Sequence, residues 1–416
     1  MFKRLILDNG IPLVMESISG VRSIAAGIWV KAGARFETPE INGISHFIEH
    51  MMFKGTSKRT QQDIAKEMDS LGGDINAFTT REYTVYYIKV LDEYIADGLD
   101  ILCDIFNNPL IQEQDIEKEK GVIKEEINMT LDTPDDYIHD YFYNNVWGQE
   151  SLGLPVLGNI KTISRFKRSE LVKFIDTNYN HNDTIVSCGG KVDFDRIYQL
   201  FNEKLGAIPG NAKTVNKSDV TPVFRKGINV LQKELSEVHV CLGVAGIKQN
   251  STLRYPFLAI NTLFGGGISS RLFQEIRENR GLAYSIYSFL SSYSDTGLFG
   301  VYAGSAPDNY VEVIELVVKE LKHLKETITH EEVERAKNHL KGNLLLNMES
   351  STSRMLNVAR QEIYYDRYYQ TEEIIRGVEA ITTAEVVELL SDLVDVDKMA
   401  VSVLGPADKS KLIGII

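Results

Sequence analysis

Short apolar runs broken by turn residues open the chain, and they predict strands before they predict anything else. The stretch 5–14 sets an apolar run on either side of Asn9-Gly10, a pair that supplies the positive φ a tight turn needs, so it reads as a hairpin. A further strand is predicted over 24–30, carrying Trp29. From Gly43 the period changes to the helical one and holds through Met52, with Asn42 and Ser45 able to cap and Gly55 able to stop the helix. A second helix is predicted over 61–71, capped by Thr60 and ended by Gly72-Gly73. The segments 74–78 and 83–90 read as strands, the latter rich in aromatic and branched residues. Helical patterns follow over 92–107, 112–131, 166–177 and 194–204, with a strand over 184–188 before the last.

Between 206 and 226 the periodicity breaks, and Gly206, Pro209, Gly210, Asn211, Asn216, Ser218, Asp219 and Pro222 collect as in a linker. The same order of elements then starts again. Strands are expected over 228–233 and 238–245, helices near 254–264 and 270–280, strands over 282–291 and 296–303, and a long helix over 308–325. This repeat predicts two copies of one fold, each of ordinary domain size: residues 1–210, a linker at 211–226, and residues 227–416.

The first copy carries His46-Phe47-Ile48-Glu49-His50 on its first helix; in the second copy, residues 256–264 take that place without it. Residues four apart on a helix lie one above the other, so both imidazoles leave one face and can hold a divalent metal, zinc above all. Glu49 beside them is placed to accept a proton from water. The order His-x-x-Glu-His is the inverted form of a zinc-peptidase helix motif. Two ligands do not complete a zinc site. The helix over 112–131 offers Glu119 and Glu126, seven apart and on one face, with Val122, Ile123 and Ile127 close by to turn that face inward. An inward carboxylate needs a partner or a metal. Spacing alone leaves Glu125 open as well.

Composition narrows the partners. The 416 residues are 43% hydrophobic and 25% charged, too many for a single core. A net charge of −13 argues against a nucleic-acid binder, and no apolar run is long enough to span a bilayer. Cys103, Cys188 and Cys241 are scattered and odd in number, which reads as buried thiols in a reducing compartment, so the chain is expected in the cytoplasm.

With Glu126 placed 76 residues after His50, these residues resemble the pitrilysin family of inverted-motif zinc metallopeptidases, in its branch of mitochondrial processing peptidase and bacterial relatives. The likeness extends through the opening hairpin, Met52-Phe53-Lys54-Gly55-Thr56, the run from Gly72 to Thr79, and Ser270 to Tyr284. It implies an α+β fold of two homologous domains, each a mostly antiparallel sheet packed with helices, which together enclose a chamber. It implies one zinc per chain on His46, His50 and Glu126, with Glu49 as the base and Glu119 as the carboxylate that orients a ligand. It also implies substrate contacts from Asn76 and Ala77, on a strand edge to which a peptide adds in extended form, and from Arg277 and Tyr284. Read alone, Arg277 is a solvated helix charge, Tyr284 the start of a half-buried strand and Asn76 a strand-end residue. The activity implied is zinc-dependent endopeptidase cleavage of extended or unfolded peptides by a homodimer. The alternative is a non-catalytic structural or partner subunit of a processing peptidase-like assembly, distinguished by loss of the motif residues.

Overall fold

The computed structural model describes residues 1–148, 151–205, 221–365 and 367–415. The opening hairpin forms from β1 (Phe2–Ile6) and β2 (Pro12–Ser17), paired antiparallel across the Asn9-Gly10 turn. With β3 (Ser23–Val30), β4 (Asp74–Thr79), β5 (Thr84–Leu91) and β6 (Thr184–Gly190) it builds a six-stranded sheet ordered β1-β2-β6-β3-β5-β4. A second sheet holds β7 (Gly227–Leu231), β8 (Val238–Gly246), β9 (Ala283–Ser292), β10 (Gly297–Ser305) and β11 (Ala400–Leu404), ordered β7-β11-β8-β10-β9.

Without β1, the two sheets are the same design. The pairs β2–β6 and β7–β11 are parallel, and every other pair in either sheet is antiparallel. A helix also occupies the same place in each: α1 (Ile44–Met52) between β3 and β4, and Arg254–Gly265 between β8 and β9. The repeated order of elements along the chain is thus a repeated topology, in a mixed α and β fold.

After β5 the chain runs through α3 (Ile95–Asn107), α4 (Glu113–Asp132) and α5 (Pro134–Trp147), α2 (Gln61–Ser70) having preceded β4. Two compact units emerge, and they are interleaved. One consists of Met1–Met129, the described part of Leu154–Val220, and Leu346–Tyr368; the other of the described residues in Thr130–Gly153, Thr221–Leu345 and Tyr369–Ile416. Helix α5, from the first half of the sequence, packs on β8 and β11, where Ile138, Phe142 and Val146 join Cys241 and Leu298 in a core cluster. The helix Ser351–Tyr364, from the second half, packs on β2, β3 and β6 through Met355, Val358 and Ala359. It lies so close that a Cβ on Gly189 would meet the Met355 nitrogen at 2.5 Å, so β6 needs glycine there. Of the expected linker, 211–220 lie outside the described residues, and 221–226 run irregularly into β7.

One element differs in kind from its expectation. The helix anticipated near 270–280 contains a π-helical turn, Phe273–Glu278, in which the Asn279 amide donates back to Gln274 O at 2.9 Å. The extra residue per turn is invisible to a 3.6-residue period.

Candidate metal centre

Helix α1 is held from below and from its start. Phe47, Ile48, Met51 and Met52 are fully buried, and Phe47 meets Phe166 edge-on at 5.6 Å between ring centroids. Each such side chain contributes about 1.5–3 kcal/mol, enough to offset the cost of holding polar groups on the opposite face. The N-cap is Gly43, at φ 93°, with no side-chain cap of its own. The buried carboxylate of Glu37 serves instead, accepting from the amides of Gly43 (2.7 Å) and Ser45 (2.8 Å) and from Asn42 Nδ2 (3.0 Å). Asn42 and Ser45, expected as caps, are therefore not the capping groups. A carboxylate brought over the helix end by the loop after β3 reaches two amides, where a single hydroxyl reaches one. Burial raises the Glu37 carboxyl above its ordinary range despite these bonds.

The opposite face of α1 carries the chemistry. His46 Nε2 lies 3.7 Å and His50 Nε2 3.6 Å from the same Glu126 oxygen, and one ligand atom from each of the three residues lies within 4.8 Å of the others. Glu125 is exposed and outside this cluster, and Ile123 and Ile127 turn the helix inward while Val122 faces out. The separations exceed hydrogen-bond range. They approach the edge of roughly 3.4 Å that zinc bonds of about 2.0–2.2 Å give in a tetrahedron. Two imidazoles and a carboxylate are also the donor chemistry that zinc selects. The residues fit the ion.

The protonation of His46 suits it too. Burial, reinforced by His50, pushes the His46 imidazole down to about 3, leaving it neutral. Burial also works against the charged form of His50, but the hydrogen bond and charge of Glu119 outweigh it, and its pKa is raised. His50 Nδ1 lies 2.8 Å from Glu119 Oε1, so the Nδ1 proton is held there and Nε2 faces Glu126. Lys54 Nζ grips the other Glu119 oxygen at 2.6 Å. Burial of Glu119 favours its neutral form, but these two partners prevail and keep its pKa below the ordinary carboxylate value.

Glu49 lies beside the cluster without joining it. Its Oε2 accepts a hydrogen bond from the Thr79 hydroxyl at the end of β4. Burial raises the Glu49 carboxyl, helped by Glu126, while Thr79 and His50 hold it back.

The remaining sequence candidates fall in two places. Asn76 and Ala77 lie on β4, the last strand of the six-stranded sheet, and Asn76 Oδ1 accepts the Ala77 amide at 2.8 Å. Arg277 and Tyr284 belong to the other unit and touch each other, the guanidinium 5.2 Å from the Tyr284 ring centroid and 4.8 Å from that of Phe273. Tyr284 is 79% exposed. Sequence reading missed Glu37, Lys54 and Thr79 as groups acting on this site. Lys54 follows His50 by four positions, just past the end of α1, so nearness in sequence was a signal; Thr79 and Glu37 gave none.

Comparison with known proteins gives the family. Residues 13–160 match the model of the insulinase-type peptidase family M16, and residues 165–340 that of the M16 inactive domain. The chain belongs to this family, the pitrilysin family of zinc peptidases. It is 37% identical over 408 residues to the uncharacterised zinc protease YmxG of Bacillus subtilis, covering 98% of this chain and 99% of that one. Its fold is similar to that of a protease from Helicobacter pylori, with a TM-score of 0.88 and 20% identity over 98% and 99% of the two chains. It is also similar to a chain of Candida albicans complex III2, with a TM-score of 0.85 and 19% identity over 100% and 97%. No helix among the described residues is long and apolar enough to cross a membrane.

Proposed function

We propose that the chain is a zinc-dependent metalloendopeptidase that hydrolyses extended or unfolded peptides, with one zinc per chain. The observation that carries this reading is the convergence of His46 Nε2, His50 Nε2 and a Glu126 oxygen, with Glu49 next to them and bonded only on one side. When bound, zinc supplies a Lewis acid that lowers the pKa of water and polarises a peptide carbonyl. His46, His50 and Glu126 would hold it. Glu119 keeps the His50 proton on Nδ1, and Lys54 keeps Glu119 ionised. Glu49 Oε1, free of hydrogen bonds to described residues, takes the proton of the attacking water and later delivers it to the leaving amine.

Substrate enters this scheme as a seventh strand. The outer side of β4 pairs with no strand among the described residues, and an extended peptide can add there through backbone hydrogen bonds. Asn76, now holding the Ala77 amide, would turn to the peptide as it arrives. Arg277 and Tyr284 are assigned to substrate contacts near the scissile bond. A homodimer in the cytoplasm completes the proposal, the three buried, unpaired cysteines fitting a reducing compartment.

The test is cleavage of a mixed peptide library with added zinc, read by mass spectrometry. Glu49→Gln is expected to lower turnover by about 100- to 10,000-fold, the usual worth of a general base, with zinc content unchanged. Equal cleavage by both proteins would remove Glu49 from the mechanism. Absence of cleavage by the wild type, with zinc bound, would favour the non-catalytic subunit.

A further inference from the structure

We propose that Thr79 is the positioning residue of the base. From β4, the strand whose edge is proposed to carry the substrate, it fixes the Glu49 carboxylate, so that one strand sets both substrate register and base orientation. This rests on the peptidase reading above.

The Thr79 hydroxyl has one proton and two acceptors within reach. One is Glu49 Oε2; the other is Thr84 Oγ1, at 3.3 Å. Thr84 spends its own proton on the Ala32 carbonyl at 2.9 Å, so it cannot donate to Thr79 and competes only as a neutral acceptor. A carboxylate accepts more strongly than a hydroxyl, and the Thr79 proton goes to Glu49. Glu49 has no other hydrogen bond among the described residues, so its rotation about the last side-chain bond is set by this one contact.

The hydroxyl itself is held firmly in place. Thr79 ends β4, and the turn after it is closed by the Thr80 amide donating to Tyr83 O at 2.8 Å. Behind that turn, Arg35 and Glu82 form a buried ion pair at 2.7 Å, and Glu82 also accepts from the Tyr364 hydroxyl at 2.8 Å. Side chains alternate along a strand, so Thr79 shares a face with Ala77 and lies three positions, roughly 10 Å, beyond Asn76. A peptide paired to the β4 edge is thereby placed in fixed register with the hydroxyl that orients the base.

The experiment compares zinc-loaded wild type, Thr79→Val, which keeps the shape without the hydroxyl, and Thr79→Ser, which restores it, on an unstructured fluorogenic peptide. Thr79→Val is expected to lose about 10- to 100-fold in kcat, the usual effect of removing a group that orients a reacting one. KM and the zinc dissociation constant should stay within about twofold, since neither substrate nor ligands are touched. Thr79→Ser should recover most of the loss. In a Glu49→Asp background, whose shorter carboxylate does not reach Thr79, Thr79→Val should add nothing. An unchanged kcat, a loss carried by KM or zinc affinity, no recovery with Ser, or full additivity with Glu49→Asp would each overturn the assignment. Should the wild type cleave nothing, it is the peptidase reading that fails. The contact is then judged by the infrared carboxylate band of Glu49, identified by its loss in Glu49→Gln. A band that moves in Thr79→Val and returns in Thr79→Ser upholds the contact, and an unmoved band overturns it.

Discussion

The helices α1 and Arg254–Gly265 occupy the same place in two sheets of the same strand order, yet only α1 carries the side chains of the proposed metal site. In α1 the apolar underside is Phe47, Ile48 and Met51, and the other face presents His46, Glu49 and His50. In Arg254–Gly265 the buried positions are Phe257, Ala259, Ile260, Leu263 and Phe264, and the segment holds no His, Asp or Glu. The underside packs in a similar way in both, so the packing of the helix does not require the polar groups on its other face. The capping differs as well: α1 is started by the buried Glu37 carboxylate, whereas the N-cap of the second helix, Leu253, offers no side-chain bond. In the second unit Glu332 is bonded twice by Arg271, at 2.7 and 2.8 Å, whereas His46 Nε2 and His50 Nε2 stand 3.7 and 3.6 Å from one Glu126 oxygen, beyond hydrogen-bond range.

The sharpest way to break the contrast is to empty the first helix. His50→Ala removes a proposed ligand and leaves Glu119 buried with Lys54 alone, and zinc affinity measured by chelator competition should fall by several orders of magnitude. Titration of the wild type should stop at one zinc per chain; a second tight equivalent would show that the two units are not chemically distinct. Glu119→Gln keeps the ligands but weakens the grip on the His50 proton, with an expected loss of about 10- to 100-fold in zinc affinity. Glu37→Ala should leave two amides at the start of α1 without an acceptor and lower stability in urea by about 1–3 kcal/mol.

The smallest effect concerns pH and the second unit. Burial favours neutral Glu332, but the Arg271 bonds and the Thr329 amide prevail and hold its pKa at about 2. A carboxyl depressed on folding stabilises fully above its unfolded value, roughly 4.3, and that contribution fades as pH falls through the folded value. Glu332→Gln should therefore shrink the drop in urea midpoint between roughly pH 5 and pH 2, with little change in the zinc site.

The local pattern carried a good deal of this molecule. Zinc-helix geometry follows from a period of 3.6, so spacing alone puts His46, Glu49 and His50 on one face. The Asn9-Gly10 turn, the Thr60 cap and the order of elements were legible for the same reason: each depends on residues a few positions apart. What only tertiary structure decided involves residues that meet across long stretches of chain. Helical spacing left Glu119, Glu125 and Glu126 open, and the packing of α4 brings Glu126 to the imidazoles and Glu119 behind one of them. Amphipathic periodicity gives a helix an apolar face but not a destination, so the packing of α5 on the second sheet and of Ser351–Tyr364 on the first could not be read locally. Nor could Thr79 and Glu37 be singled out, since a strand-end threonine and a loop glutamate acquire a role only when folding sets them against α1.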